Sequence, residues 1–212
     1  MKRLVGILIL LFGFQVVALA QYDEKARTIL DKMSAQYQKI PSYKADFSYI
    51  LTNEAEGLNE EFAGKIAVKD NMYRLKMEGQ EIINNGETMW TYLEDVNEVN
   101  IDYYDPEDGD MSPSKIYTAY KDGFKYIYLD QESAGDVNVV DLVPNDKNSQ
   151  YYKVRLLINK SNNTLKGWKI FDKAGNVIHY DIRNFNPKAN LQDSYFVFNE
   201  DDYSDVEVID LR

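Results

Sequence analysis

The chain offers few residues for chemistry. Its one histidine, His179, lies in the run Val177-Ile178-His179-Tyr180, and it has no cysteine. One imidazole and no thiolate cannot assemble the ligand sets of zinc sites, and disulfides and a cysteine nucleophile are excluded. No Gly-x-Ser-x-Gly elbow supplies a serine to pair with His179, so a polar strand position explains that histidine. The acidic stretch Asp105-Pro106-Glu107-Asp108-Gly109-Asp110 has the composition of a calcium loop. It lacks the spacing of acids around the glycine and reads as a solvated loop. No glycine-rich phosphate loop or dinucleotide fingerprint occurs. Asn162-Asn163-Thr164 matches a glycosylation acceptor, a triplet frequent by chance. The 17 tyrosines could stack on sugars, but tyrosine is an ordinary strand residue. This inventory points away from an enzyme, and it calls for no cofactor and no metal.

What the sequence does supply is apolar surface in a secreted setting. Met1-Lys2-Arg3 precedes an apolar run from Leu4 to Leu19, and Ala18-Leu19-Ala20 has the small-x-small form of a cleavage site. Residues 1–20 therefore read as a signal peptide, leaving a single domain over 21–212. The apolar run is shorter than the roughly 20 residues a spanning helix needs. A periplasmic location follows, with no cysteine after the cleavage site to carry a lipid anchor. Of 24 Lys plus Arg, two lie in the leader; against 35 Asp plus Glu the mature chain carries −13. That charge argues against nucleic acid and against anionic lipid surfaces as partners.

The elements follow from periodicity. Tyr22, Ala26, Ile29, Leu30, Met33 and Tyr37 form one stripe at helical spacing, which predicts a helix over 22–38 stopped by Pro41. From Tyr43 onward the pattern has period two. Tyr43, Ala45, Phe47, Tyr49 and Leu51 share one strand face, as do Phe62, Gly64, Ile66 and Val68, and then Tyr73, Leu75 and Met77. Ile82-Ile83 leads through Asn84-Asn85-Gly86 into the strand holding Trp90 and Tyr92. Asn-Gly between two β-prone runs predicts a tight primed turn with positive φ at both residues. Val99, Ile101 and Tyr103 complete a six-strand meander. Ser114–Tyr120 predicts a short central helix. Strands resume at 124–129, 137–143, 151–158, 164–171 and 177–185, with a further alternating run at 195–198 and a weak edge strand in the tail.

The implied fold is mainly β, an antiparallel sheet with little helix. Many strands carry one apolar face, and the helical cover is scant. Such a sheet must curl on itself or bury its inner face against something else. A curled sheet with an apolar interior and a helical lid is a container for a greasy ligand, with a self-packed core as the competing arrangement.

Several runs, in order, resemble the LolA family of periplasmic carriers that move lipoproteins to the outer membrane. These are Ser42-Tyr43-Lys44-Ala45-Asp46-Phe47, Gly64-Lys65-Ile66-Ala67-Val68-Lys69, and Ile82-Ile83-Asn84-Asn85-Gly86-Glu87-Thr88-Met89-Trp90-Thr91-Tyr92. Leu142-Val143-Pro144, the Asp172–Asn176 turn and Asp193–Phe198, expected as the closing strand, follow downstream. The resemblance implies a strongly curved antiparallel sheet forming an incomplete barrel, a half-barrel with the N-terminal helix and the short central helix as a lid, whose cavity takes lipoprotein acyl chains. It also implies an ATP-driven (ABC-type) inner-membrane lipoprotein extractor as donor, an outer-membrane acceptor, and a monomeric protein. One departure stands out: where the family has an Arg-Pro pair whose arginine helps to hold the lid, this chain has Asp70-Asn71. With the fold so implied, alternation assigns the cavity wall to Phe47, Phe62, Ile66, Tyr73, Leu75, Trp90, Tyr92, Val154 and Leu156. It assigns the lid to Ile29, Leu30, Met33, Ile116 and Tyr117, with helix side chains filling the cavity when it is empty. A lipid- or lipoprotein-sensing regulatory protein of the same fold is the alternative.

Overall fold

The computed structural model describes residues 23–105 and 114–212. The leader and most of the acidic loop, from Pro106 to Pro113, lie outside the described residues. The alternating runs become strands: β1 (Tyr43–Asn53), β2 (Leu58–Lys69), β3 (Met72–Met77), β4 (Gln80–Asn84), β5 (Thr88–Leu93) and β6 (Glu98–Tyr103). Then come β7 (Phe124–Tyr128), β8 (Val137–Pro144), β9 (Tyr151–Asn159), β10 (Leu165–Asp172), β11 (Val177–Asn186) and β12 (Glu207–Asp210). They form one sheet of 12 strands in the order β12-β6-β5-β4-β3-β2-β1-β11-β10-β9-β8-β7. The sheet curves but does not close into a barrel, as the family resemblance implies.

Apart from β12 at one edge, each half of the sheet is a meander of neighbours in sequence, which needs only short turns. One non-local ladder joins the halves: β1 pairs antiparallel with β11, from Lys44 opposite Asn186 to Thr52 opposite Val177. Bulges between Lys44 and Asp46, and at both ends of the β9–β10 ladder, add local twist and help to bend the sheet.

The sequence predicted a helix over 22–38, and α1 spans Glu24–Tyr37. Asp23 caps it, its Oδ1 accepting from the backbone N–H groups of Lys25 and Ala26 at 2.9 and 3.0 Å. The stripe Ala26, Ile29, Leu30, Met33 and Tyr37 is buried in the main core, together with Val140, Leu142, Val154, Leu156 and Ile158 of β8 and β9. The expected central helix is instead a run of hydrogen-bonded turns ending in a 3-10 turn, Ala119–Lys121. A run of seven residues with β-branched Ile116 and Thr118 and two tyrosines has too little propensity and length for an α-helix.

The convex face is covered by the C-terminal segment. Its run Tyr195–Phe198, expected as a strand, is a 3-10 turn over Asp193–Phe196 followed by extended chain. The alternation is real, since Phe196 and Phe198 are buried while Tyr195 and Val197 are exposed. The segment crosses a sheet face, where no strand edge offers hydrogen bonds. Phe196 packs with Leu191 and Ala67; Phe198 packs with Ile83, Val99, Trp90 and Tyr92. The tail then pairs with β6 as β12, the sheet's parallel edge.

A buried charge cluster fastens this strap. Arg74 Nε donates to Glu81 Oε1 at 2.7 Å, and the Tyr203 hydroxyl donates to Glu81 Oε2 at 2.7 Å. Burial alone would raise the Glu81 pKa, but the Arg74 and Tyr203 bonds outweigh it and hold the carboxyl below its usual range. Removing one partner strands a buried charge. Arg74→Met is therefore expected to cost roughly 3 kcal/mol in denaturant unfolding. Removing Arg74 and Glu81 together, as Arg74→Met with Glu81→Leu, should cost clearly less.

Candidate functional site

Curvature leaves the concave side of the sheet only half filled. Over β8 and β9 the helix α1 occupies it. Over β1–β5, β10 and β11 it is a cavity of about 780 Å³. The floor is apolar: Phe47 of β1, Ile66 of β2, Tyr73 and Leu75 of β3, Ile82 of β4 and Met89 of β5 form one side. Trp168 and Ile170 of β10 with Ile178, Tyr180 and Ile182 of β11 form the other. The rim is polar, with Asp105, Lys115, Asp146, Asn148, Gln150 and Asp172 among aromatic Tyr103, Tyr104 and Tyr151.

Two local devices shape the floor. Gly64 faces Phe47 across the β1–β2 ladder, and a Cβ there would lie 2.6 Å from the Phe47 ring and against the Lys76 carbonyl. Only glycine lets that ring lie flat over β2. Trp168 stacks on Tyr180 with ring centroids 4.5 Å apart and 17° between planes. Cross-strand pairing of Trp168 with Tyr180 puts them on the same face.

Of the residues assigned to the cavity from sequence, Phe47, Ile66, Tyr73 and Leu75 stand on its wall. Trp90 and Tyr92 do not. They share the convex face with Ile83 and Val99, under Phe198 and Tyr203 of the strap. Tyr92 lies 4.5 Å from the Tyr203 ring. The neighbour Met89 points into the cavity instead, its sulfur 3.7 Å from the Tyr73 hydroxyl. Alternation alone cannot choose between two apolar faces, and here one face of β5 lines the cavity while the other lies under the strap. Val154 and Leu156 do face inward, but they are fully buried in the core that includes the helix stripe. Phe62 has the parity of Ile66 yet is 42% exposed, against Tyr49 beyond the cavity. The wall residues of β10 and β11, which the sequence reading omitted, carried their own signal. Trp168, Ile170, Ile178, Tyr180 and Ile182 alternate as regularly as the β1–β3 set.

The lid residues are placed differently from the expectation. Ile29, Leu30, Met33 and Ile116 are buried in the main core, Tyr117 packs against it, and none of the five lines the cavity. The helix rests beside the empty space, not in it. Its fastenings run to the edge strand β7 and to the 114–121 segment. Tyr128 N–H donates to Asp23 Oδ2 at 2.8 Å, and Lys25 Nζ pairs with Asp130 at 2.8 Å. The Tyr120 hydroxyl donates to Asp31 at 2.7 Å; burial, with that carboxylate as neighbour, pushes it up to about 12. Tyr37 stacks on Tyr117 at 4.6 Å, and its hydroxyl accepts from Leu165 N–H at 3.2 Å. Asp70, where the Arg-Pro pair was implied, takes φ 53 in the β2–β3 turn. Its charge adds to burial in raising the Tyr117 hydroxyl.

The Asn-Gly turn is also not the one predicted. Only Gly86 takes positive φ, at 94°. Asn84 Oδ1 accepts from Gly86 N–H at 2.7 Å, and Asn85 Oδ1 accepts from the N–H groups of Glu87 and Thr88. These Asx bonds hold a wider loop than a primed two-residue turn. His179 lies outside the cavity wall, on the β11 face opposite Ile178 and Tyr180. Among the described residues no group of three His, Cys, Asp or Glu could hold a metal ion.

A family model described as outer membrane lipoprotein carrier protein LolA matches residues 38–199. No curated protein matches the chain significantly. A solved structure from Thermus thermophilus, of an uncharacterized conserved protein, matches with a TM-score of 0.57 and 14% identity. It covers 88% of this chain and 99% of its own, and supports the fold. A LolA superfamily protein from Nitrosomonas europaea matches with a TM-score of 0.46 and 16% identity, covering 82% of this chain and 97% of its own. The Mycobacterium tuberculosis lipoprotein LppX gives 0.47 and 10%, covering 80% and 100%.

Two outcomes follow from the site geometry. Gly64→Ala is expected to cost about 1–3 kcal/mol, because both the Lys76 carbonyl and the Phe47 ring must give way; chemical denaturation reads the loss. Burial would raise the Asp23 pKa, but the N–H donors of Tyr128, Ala26 and Lys25 outweigh it and lower the pKa in the folded state. Its stabilisation is thus present above the unfolded carboxylate value of about 3.9 and lost as pH falls through the folded value. Asp23→Ala should cost about 1 kcal/mol at pH 6. The difference from wild type should shrink in acid below both pKa values, as measured by thermal unfolding across pH.

Proposed function

We propose that this chain, which belongs to the LolA family of outer membrane lipoprotein carrier proteins, holds lipoprotein acyl chains in its concave cavity and carries them to the outer membrane. The cavity is the observation that carries this reading. Its floor is built from apolar side chains of seven strands, and its rim is polar enough to leave a headgroup or peptide in water. No chemical step is required of it, and the protein acts as a binding module, not an enzyme. The leader read over 1–20 fits work in the periplasm, where an ATP-driven inner-membrane extractor supplies cargo and an outer-membrane acceptor removes it. The protein does this as a monomer.

Affinity has to be limited for a carrier to release. Sheltering about 16 methylene groups at ~0.8 kcal/mol each contributes roughly 12 kcal/mol. The open side of the sheet reduces that gain, because a chain lying on the floor keeps one flank toward solvent. The fastenings of α1 add a second control, since cargo that needs the helix's place must first break them and binds more weakly by the fraction of protein that is open.

Leu75 is partly exposed on the wall, so a polar side chain there is compatible with folding. Leu75→Glu is expected to weaken fatty-acid or lipopeptide binding by about 100-fold, roughly 3 kcal/mol, with unfolding midpoint nearly unchanged. Undiminished binding by the folded variant would remove the cavity from the function. Depleting the protein in its host should leave lipoproteins stalled at the inner membrane. Normal sorting with altered transcription would point to a sensor instead.

A further inference from the structure

We propose that the open edge of β12 is a docking site for an extended, basic segment of a partner protein, which joins the sheet there as a further strand.

A sheet that does not close has two edges, and here they differ. The outer side of β7 is occupied: Asp23 accepts the Tyr128 N–H at 2.8 Å, and α1 packs alongside. Among the described residues nothing pairs with β12 on its outer side. Glu207 and Leu211 donate their N–H groups inward, to the carbonyls of Asn97 and Ile101, at 2.9 Å each. Backbone groups alternate sides along a strand, so the N–H and C=O of Val208 and Asp210 point outward. Such a row of unpaired groups is what a strand from another chain pairs with.

The side chains along this edge add apolar contact area. Val96, Tyr103, Val208 and Leu211 are four of the nine large apolar residues exposed on the described surface. Exposed apolar area is thus concentrated beside the open strand.

Charge selects the occupant. Residues 94–103 and 200–212 hold ten acidic side chains and one basic one, Arg212. Arg212 pairs with Asp210 at 2.7 Å, and among the described residues no salt bridge joins the other nine acids. This corner therefore carries most of the chain's net charge of −11. Charged side chains on an edge keep uncharged and like-charged strands away. A second copy would set these carboxylates against each other, which opposes edge-to-edge pairing. A strand rich in lysine or arginine meets opposite charge instead. The edge meets the cavity only at Tyr103, so a strand there leaves the cavity floor untouched.

Amide hydrogen exchange on the whole protein, with binding followed by fluorescence anisotropy, tests this. The probe is a peptide alternating lysine with valine. One control spaces the lysines with proline, which keeps the charge and disfavours strand pairing. The other replaces lysine with glutamate. The lysine–valine peptide is expected to slow exchange at Val208 and Asp210 at least tenfold, and to bind at least tenfold more weakly at about 500 mM than at about 50 mM salt. Both controls are expected to bind at least tenfold more weakly. Asp95→Lys with Glu207→Lys should lower the affinity at least tenfold with the unfolding midpoint unchanged. Val208→Pro should do the same, because it removes an outward donor and leaves the bonds to β6. If Val208→Pro does not fold, the charge variant decides. The proposal is overturned if the probe does not bind, if either control binds as well, if protection appears on other strands instead, or if a folded variant binds like wild type. Dimerisation of the free protein that protects the same two amides would make the occupant a second copy and overturns it as well.

Discussion

A single curved sheet has two faces, and one α-helix cannot cover both. Everything else in the structure answers that constraint. Twelve strands in one layer bring apolar side chains to both the concave and the convex side. The convex side of β2–β6 is closed by the chain's own C-terminal strap, through Phe196, Phe198 and the Arg74–Glu81–Tyr203 cluster. Among the described residues, the concave side is closed by α1, over β8 and β9, and by the 114–121 segment packed into the same core. The rest is left as an apolar hollow, and burial of that surface is what a greasy ligand contributes.

The two covers are fastened in different ways. The strap is held by buried aromatic packing, by a charge cluster that is itself buried, and by a parallel strand pairing at the edge. Such contacts are lost only on global unfolding. The helix is held by an apolar stripe plus fastenings near the surface, including the exposed pair Lys25–Asp130 and the cap Asp23 shared with the edge strand. Exposed pairs contribute little individually. The strap thus rests on aromatic packing and a charge cluster, and the helix on its buried stripe with polar fastenings nearer the surface.

The runs Gly64–Lys69 and Ile82–Tyr92, which suggested the family, shape the cavity wall and anchor the strap at once. Gly64 makes room for Phe47 on the floor, and Ile66 stands beside it. Ile82 and Met89 reach the cavity, while Ile83, Trp90 and Tyr92 anchor the strap on the other side. Asn84 is buried between the two hairpins and ties the loop at Gly86 toward the β2–β3 turn, where Asn71 packs over the glycine. The hairpin is therefore a wall with two working faces.

Sequence by itself determined the strands and the helix with its buried stripe, and the family resemblance implied the incomplete barrel. Periods of two and 3.6 report directly which residues share a face, and β1–β3 with Phe47, Ile66, Tyr73 and Leu75 have one polar and one apolar face. The family was legible for the same reason, because its runs combine that alternation with glycines at fixed places. Only the tertiary structure decided which face of β5 meets the cavity. Met89 and Trp90 are both large and apolar, and the covering strap lies more than 100 residues away in sequence. It also decided that Tyr195–Phe198 crosses a sheet instead of joining it, since alternation reports burial but not a hydrogen-bonding neighbour. And it decided that the helix lies beside the cavity. The stripe Ile29, Leu30, Met33 says that the helix packs on an apolar surface; where on a curved sheet it settles depends on the partners of Asp23, Lys25 and Asp31, which sit far along the chain.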